Sequence, residues 1–231
     1  MIVDASDAVH QPIGMLEEEL ASLPYNFITV MRAFAGAGIT RSRVSGREVL
    51  VHGASGGLGL VALGQLRQMG ARVTAVASEH NHDLCMRAGA ASVLDRRTTA
   101  LRALPRRYVA TLNFGNWDDE AALVGLLAKG AAGHACTVHP LLRQLDQNGF
   151  AAGLAKAWLI KRAMAALAPS GARYDWTVFR PQRDALDHLA ACAPTMQLLT
   201  PIVRFPLSQI ARAHAHVEQH RAGRAVLLPQ H

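Results

Sequence analysis

Aromatic residues are scarce in this chain, 5% of 231, and there are only three cysteines. Cys85, Cys136 and Cys192 lie far apart and follow no C-x-x-C spacing. That argues against a disulfide framework or a structural zinc site and points to a reducing, cytoplasmic-type compartment. No apolar run reaches the roughly 18–20 residues that span a bilayer, so no membrane span is expected. The start, Met1-Ile2-Val3-Asp4-Ala5-Ser6-Asp7, carries acids and no basic stretch. Neither a signal peptide nor a transit peptide is expected from it. Internal repeats and low-complexity tracts are missing too.

Half of the chain is hydrophobic, enough for a sizeable core. Its length suits one large domain or a domain plus a lobe. The formal net charge is +7, and the excess is almost all arginine, spread along the chain. A solvated basic surface accounts for it. Nucleic-acid binders concentrate their basic residues or interleave them with stacking aromatics, so no nucleic-acid partner is expected. A positive field also draws in a polyanionic small molecule such as a dinucleotide.

Two helices are expected early, over Met15–Leu20 and Asn26–Gly36, with Ala21-Ser22-Leu23-Pro24-Tyr25 between them. From Glu48 onward strands and helices alternate. Short apolar runs at Glu48–His52, Arg72–Ala77, Ser92–Leu94, Tyr108–Leu112 and His134–Val138 read as strands. Helical patterns cover Gly57–Met69, Asn81–Ala88 and Asp118–Ala128. Residues 141–168 read as one long, mostly helical stretch, Tyr174–Phe179 as a strand and Pro181–Ala191 as a helix. Pro201–Phe205 is extended, Ser208 caps a helix through His220, and Ala225–Leu228 is a last strand. This alternation predicts an α/β fold with a Rossmann-type doubly wound parallel sheet.

The segment Gly53-Ala54-Ser55-Gly56-Gly57-Leu58-Gly59 joins the first of these strands to its helix. Gly56 and Gly59 lack a Cβ, which lets backbone approach a pyrophosphate and lets the helix pack close to the strand. The free N–H groups of the helix start then face the phosphates. Ala54 replaces the first glycine of G-x-G-x-x-G. A plain strand-to-helix turn is the alternative, but the strand before, the helix after and the second strand beyond favour dinucleotide binding. An NAD site places Asp or Glu about 20 residues on, at the end of the second strand, to hold the ribose 2′-OH. Here that position is Ala77, followed by Ser78, with Glu79 near. Ser78 can donate to a 2′-phosphate, and Arg96 and Arg97 offer fork geometry suited to one. The expected cofactor is therefore NADPH, with both arginines merely solvated as the alternative.

These residues resemble the medium-chain dehydrogenase/reductase superfamily, in its zinc-free quinone oxidoreductase branch. The likeness runs through Val49 to Gly59, Ala21 to Tyr25, Arg87-Ala88-Gly89-Ala90 with Val93-Leu94-Asp95, and Phe205 to His214 followed by Gly223-Arg224-Ala225-Val226. Its nearest subgroup is the reticulon-interacting NADPH oxidoreductases, which the stretch from Asp146 to Trp158 also fits. The resemblance implies an NADPH-dependent reductase that passes hydride to quinones, enones or similar activated carbonyl compounds, without zinc, and often as a homodimer. By position it implies that Ser55, Gly56, Gly57 and Leu58 meet the pyrophosphate, and that Ser78 and Arg96 meet the 2′-phosphate. Asn113, Phe114 and Gly115 would line the adenosine side, and Thr137, Val138 and His139 would sit by the nicotinamide.

There are departures. Leu112 stands where the family has Asp, Asn116 where it has Gly, and the lysine common after Ser78 is absent. The family also carries an N-terminal GroES-like catalytic lobe. Met1-Ile2-Val3-Asp4 resembles the last strand of that lobe. Residues 1–25 are thus expected to be its remnant and junction, and residues 26–231 the dinucleotide-binding domain. No acid of obvious catalytic type stands out. His139 is the candidate donor to an acceptor oxygen. No tyrosine has lysine four positions on, against the short-chain reductase mechanism. Three readings stay open: an NADPH oxidoreductase, a stand-alone NADPH-binding module without its own catalysis, and another Rossmann-type enzyme such as a methyltransferase, which the C-terminal signature disfavours.

Overall fold

The computed structural model describes residues 4, 8–195, 202–219 and 224–229. Met1-Ile2-Val3, Pro201, His220 and Gly223, each used in the sequence reading, lie outside the described residues. The chain forms two compact units, residues 29–178 and residues 1–28 with 179–231.

The larger unit is built on six parallel strands: β1 (Glu48–His52), β2 (Arg72–Ala77), β3 (Ser92–Asp95), β4 (Ala110–Asn113), β5 (Gly133–Cys136) and β6 (Arg173–Trp176). Their order is β3-β2-β1-β4-β5-β6. This is the Rossmann-type arrangement expected, with β1 and β2 falling where the sequence put them. Val49, Leu50, Val51, Val73, Ala75 and Val76 are buried on both faces of the sheet, which is why these strands read as continuous apolar runs and not as alternating ones. Ahead of β1 come α1 (Glu17–Ala21), which belongs to the smaller unit, α2 (Pro24–Gly36), whose later part falls in the larger one, and α3 (Arg41–Val44). The crossover helices follow: α4 (Gly57–Gln68), α5 (His82–Ala88), α6 (Glu120–Gly125), α7 (Leu141–Asn148) and α8 (Phe150–Ala165). Leu60, Val61, Leu63 and Leu66 form the buried stripe of α4. Each such leucine contributes about 1.5–3 kcal/mol by leaving water.

Several expectations shift, among them the strand over Tyr174–Phe179, which ends at Trp176 as β6. The helix over Asp118–Ala128 shortens to α6, because Leu126 and Ala128 turn back to pair with Tyr108 through backbone hydrogen bonds of 3.3 and 2.9 Å. The fourth and fifth strands move by one or two residues, to β4 and β5. The stretch 141–168 is two helices, because Gly149 turns through φ +73° between them, a conformation that only glycine adopts readily.

In the other unit, α9 (Arg183–Cys192) precedes β7 (Ile202–Pro206), α10 (Ile210–Glu218) and β8 (Arg224–Leu228). β7 and β8 pair in parallel with each other, Ile202 opposite Arg224. Ser208 sits within a 3-10 turn ahead of α10, and Gln209 takes the cap position in its place. Arg204 forks onto Glu18, its Nε 2.7 Å from the carboxylate. Tyr25 stacks on Phe179 at 4.7 Å.

Candidate dinucleotide site

The residues expected to bind a dinucleotide lie at or beyond the carboxyl ends of the sheet strands, Asn113 as the last residue of β4 and Gly57 and Leu58 in the first turn of α4. The loops after β1 and β4 meet there, where the strand order reverses, and open α/β sheets bind ligands at that reversal. Gly53 follows β1 with φ +73°, and a Cβ on it would lie 2.6 Å from Gly115 N. The two loops are therefore in contact through bare backbone. Gly59 packs against Ala54 so closely that a Cβ would overlap its backbone. Ala54 N–H is held at the Val76 carbonyl, 3.2 Å away.

Gly56 differs from both. It caps α4 with φ −76°, an ordinary backbone angle, and the nearest atom to a Cβ there is Gly53 O at 3.4 Å, a normal contact. Nothing in the protein's own packing requires glycine at 56. The space beside it suits a group from outside, next to the first N–H groups of α4, which have no partner within the helix. Gly57 and Leu58 open that helix. Ser55 Oγ accepts from Asn81 Nδ2 at 3.3 Å. Gly53-Ala54-Ser55-Gly56-Gly57 also satisfies the G-x-S-x-G spacing of hydrolase elbows. A serine nucleophile needs a base, and among the described residues no histidine is hydrogen-bonded to Ser55.

Beyond β2, Ser78 is buried. It lines a hollow of about 220 Å³ with Glu79, His80, Asp95 and Arg97. Arg97, rather than Arg96, is the arginine on this rim. Arg96 is exposed, and its charge bears on His52. Two carboxylates, Glu79 and Asp95, share the rim, and Asp95 Oδ1 accepts from the Arg97 backbone N–H at 3.1 Å.

On the β4 side, Asn113 Oδ1 accepts from Gly115 N–H at 3.1 Å and stands 3.2 Å from His52 Nδ1. His52 Nε2 lies 3.2 Å from Asp119. Burial lowers the His52 pKa, with Asp119 opposing. Beyond β5, Thr137 N–H donates to Asn113 O at 3.1 Å, and Val138 follows, half-buried. The His139 ring lies flat on Trp176, 4.9 Å apart and 4° from parallel. His139 Nε2 reaches Thr177 O at 3.4 Å, whereas its buried Nδ1 has no partner among the described residues. Burial lowers the His139 pKa, and the Thr177 carbonyl opposes. In its neutral form the ring carries its N–H on Nε2, toward the Thr177 carbonyl, and presents an unused acceptor at Nδ1.

Sequence reasoning missed what lies beneath. Glu120, 1% exposed, sits on α6. Its Oε2 accepts from Asn113 Nδ2 at 2.8 Å. Its Oε1 accepts from the Tyr174 hydroxyl at 2.6 Å and faces His134 Nε2 at 3.1 Å. The Thr111 hydroxyl stands 2.7 Å from His134 Nδ1. Burial alone would raise the Glu120 pKa. The His134 hydrogen bond and charge, with hydrogen bonds from Tyr174 and Asn113, outweigh it and hold the pKa to about 2. The available signal was Thr111 and His134 beside apolar residues in β4 and β5, whereas Tyr174 sits in the polar strand Arg173–Trp176 and gave none.

The fold is a Rossmann-type α/β sheet with a cleft at its switch point, and it is shared with oxidoreductases of known structure. No family model matches the chain. It is 28% identical over 236 residues to the mitochondrial NAD(P)H oxidoreductase RTN4IP1 of Mus musculus, covering 98% of this chain and 59% of that protein. Against the Homo sapiens RTN4IP1 it is 27% identical over 236 residues, with the same coverage. The chain thus spans about three fifths of the curated relatives it matches, 59% in both cases. The quinone oxidoreductase from Coxiella burnetii superposes with TM-score 0.69 at 20% identity, over 92% of this chain and 62% of that one. The yhdH oxidoreductase from Salmonella enterica, solved in complex with NADP, gives TM-score 0.64 at 17% identity, over 95% and 65%. These likenesses show the fold, and the relatives named RTN4IP1 carry the family resemblance read from the sequence.

Proposed function

We propose that the chain binds NADPH across the β1–β4 switch point and serves as the nucleotide half of a reductase acting on quinones or enones. The observation that carries the reading is Gly56, a glycine for which the protein has no steric need, at a helix start that offers free N–H groups. Ser55, Gly56, Gly57 and Leu58 would hold the pyrophosphate. Ser78 would take the 2′-phosphate, with Arg97 on the rim and Arg96 beside it. Asn113 and Gly115 would line the adenosine side. Thr137, Val138 and His139 would face the nicotinamide.

When bound, the cofactor supplies hydride. The chain's own residues hold and orient it. The Nδ1 of His139, an acceptor without a partner among the described residues, suits the amide N–H of a nicotinamide carboxamide. That role replaces proton donation, since the ring's N–H is directed at Thr177. Residues 1–25 are read as belonging with a catalytic lobe. Pairing of two copies fits the outer edge of β6. The buried thiols of Cys85 and Cys136 suit a reducing, cytoplasmic-type compartment.

A second reading is cofactor binding without turnover by this chain alone, favoured by the commitment of His139's N–H. An assay of quinone and enone reduction with NADPH separates the two. Turnover supports the reductase, and saturable NADPH binding without turnover supports the binding module. A preference for NADH would assign the rim carboxylates, Asp95 foremost, to a ribose hydroxyl and overturn the NADPH reading.

A further inference from the structure

Glu120 is fully enclosed, reaches no surface, and joins two segments that the cofactor reading places on opposite sides of the cleft. One oxygen receives the Asn113 amide. Asn113 in turn holds the Gly115 N–H, so this arm fixes the loop after β4. The other oxygen receives the Tyr174 hydroxyl. The phenol proton is therefore committed to Glu120, and a lone pair of the same oxygen accepts the Trp176 Nε1–H at 2.8 Å. Trp176, 8% exposed, is the flat surface on which His139 lies. Each step has a direction. A carboxylate only accepts, so it obliges Tyr174 to donate, and that leaves Tyr174 able to accept from the indole.

We propose that Glu120 is a positioning residue for the dinucleotide, setting the β4 loop through Asn113 and the nicotinamide-side surface through Tyr174, Trp176 and His139. The inference rests on the cofactor reading above. Hydrogen bonds to an ionised acceptor are roughly twice as strong as neutral ones, and the low pKa of this carboxyl keeps it ionised throughout the working range. Position 174 carries one arm only, and position 120 carries both.

The two arms separate by ligand. NADPH and 2′-phospho-ADP-ribose, which lacks the nicotinamide, are titrated against the unaltered chain, Tyr174→Phe and Glu120→Gln, each checked for its melting point. Tyr174→Phe removes the acceptor of the Trp176 N–H and frees that ring. It is expected to weaken NADPH on the order of tenfold, while 2′-phospho-ADP-ribose stays within about twofold. Glu120→Gln places an amide donor against one of its present donors and is expected to weaken both ligands. Equal loss of both ligands in Tyr174→Phe would mean a merely structural role and overturn the proposal, as would unchanged NADPH affinity in either variant. Failure of the unaltered chain to bind NADPH would instead overturn the cofactor reading itself, and this inference with it.

Discussion

Gly59 stands against Ala54 with no room for a single added carbon: a Cβ would overlap the alanine backbone. Gly56, three residues earlier, meets only Gly53 O at 3.4 Å. The two glycines of one motif thus have different physical reasons. Gly59→Ala forces the start of α4 away from the loop and should lower stability by about 1–3 kcal/mol. Gly56→Ala should change it by less than about 1 kcal/mol. Chemical denaturation of both variants measures the difference, and equal losses would refute the distinction.

Glu120 makes stability depend on acid. Its pKa falls from 4.5 to about 2 on folding, because hydrogen bonds from His134, Tyr174 and Asn113 overcome the cost of burial. A depressed carboxyl contributes stability above its unfolded value and loses it as pH drops through the folded one. The contribution, about 3 kcal/mol, should be complete above about pH 4.5 and vanish by about pH 2. Unfolding free energy measured across that window should fall steeply in the unaltered chain and more gently in Glu120→Gln. Parallel curves would show that another group controls the acid transition.

Much of the larger unit was legible. β1 and β2 are short apolar runs bounded by charge and glycine, and a strand buried on both faces leaves that signature wherever it lies. The glycine loop was equally legible, because turn, strand and helix all follow one another in sequence. The split of residues 141–168 at Gly149 was not, since a single glycine inside a helical pattern is often tolerated. Nor was the Glu120 network. Thr111, Glu120, His134 and Tyr174 are brought together only by the adjacency of β4, β5 and β6, and nothing local in the chain announces that. Arg97 was weighed beside Arg96, but choosing between neighbours requires knowing which side chain the end of β3 turns toward the hollow.

If the chain binds NADPH as proposed, the rim beyond β2 would set cofactor preference. Arg97 and Ser78 line the same hollow as Asp95 and Glu79. Arg97→Ala should weaken NADPH on the order of tenfold and leave NADH unchanged, and the difference should shrink as salt is added. Competition titrations with both dinucleotides at two ionic strengths read this. An equal effect on both cofactors would remove Arg97 from 2′-phosphate recognition.

Thiol chemistry should report the fold. Cys85 and Cys136 are buried, and burial pushes the Cys85 thiol up to about 11 and Cys136 further in the same direction. Cys192 is partly exposed. A maleimide at neutral pH should label Cys192 first and the other two only after denaturation. Rapid labelling of Cys136 in the native chain would contradict the packing around β5.

The central claim is that the glycine loop of this chain holds a dinucleotide phosphate in the space beside Gly56. Calorimetric titration of NADPH into the unaltered chain and into Gly56→Val tests it most directly. Saturable binding that is lost in a Gly56→Val chain of undiminished stability is the expected result. Unchanged NADPH affinity in that variant would contradict the assignment.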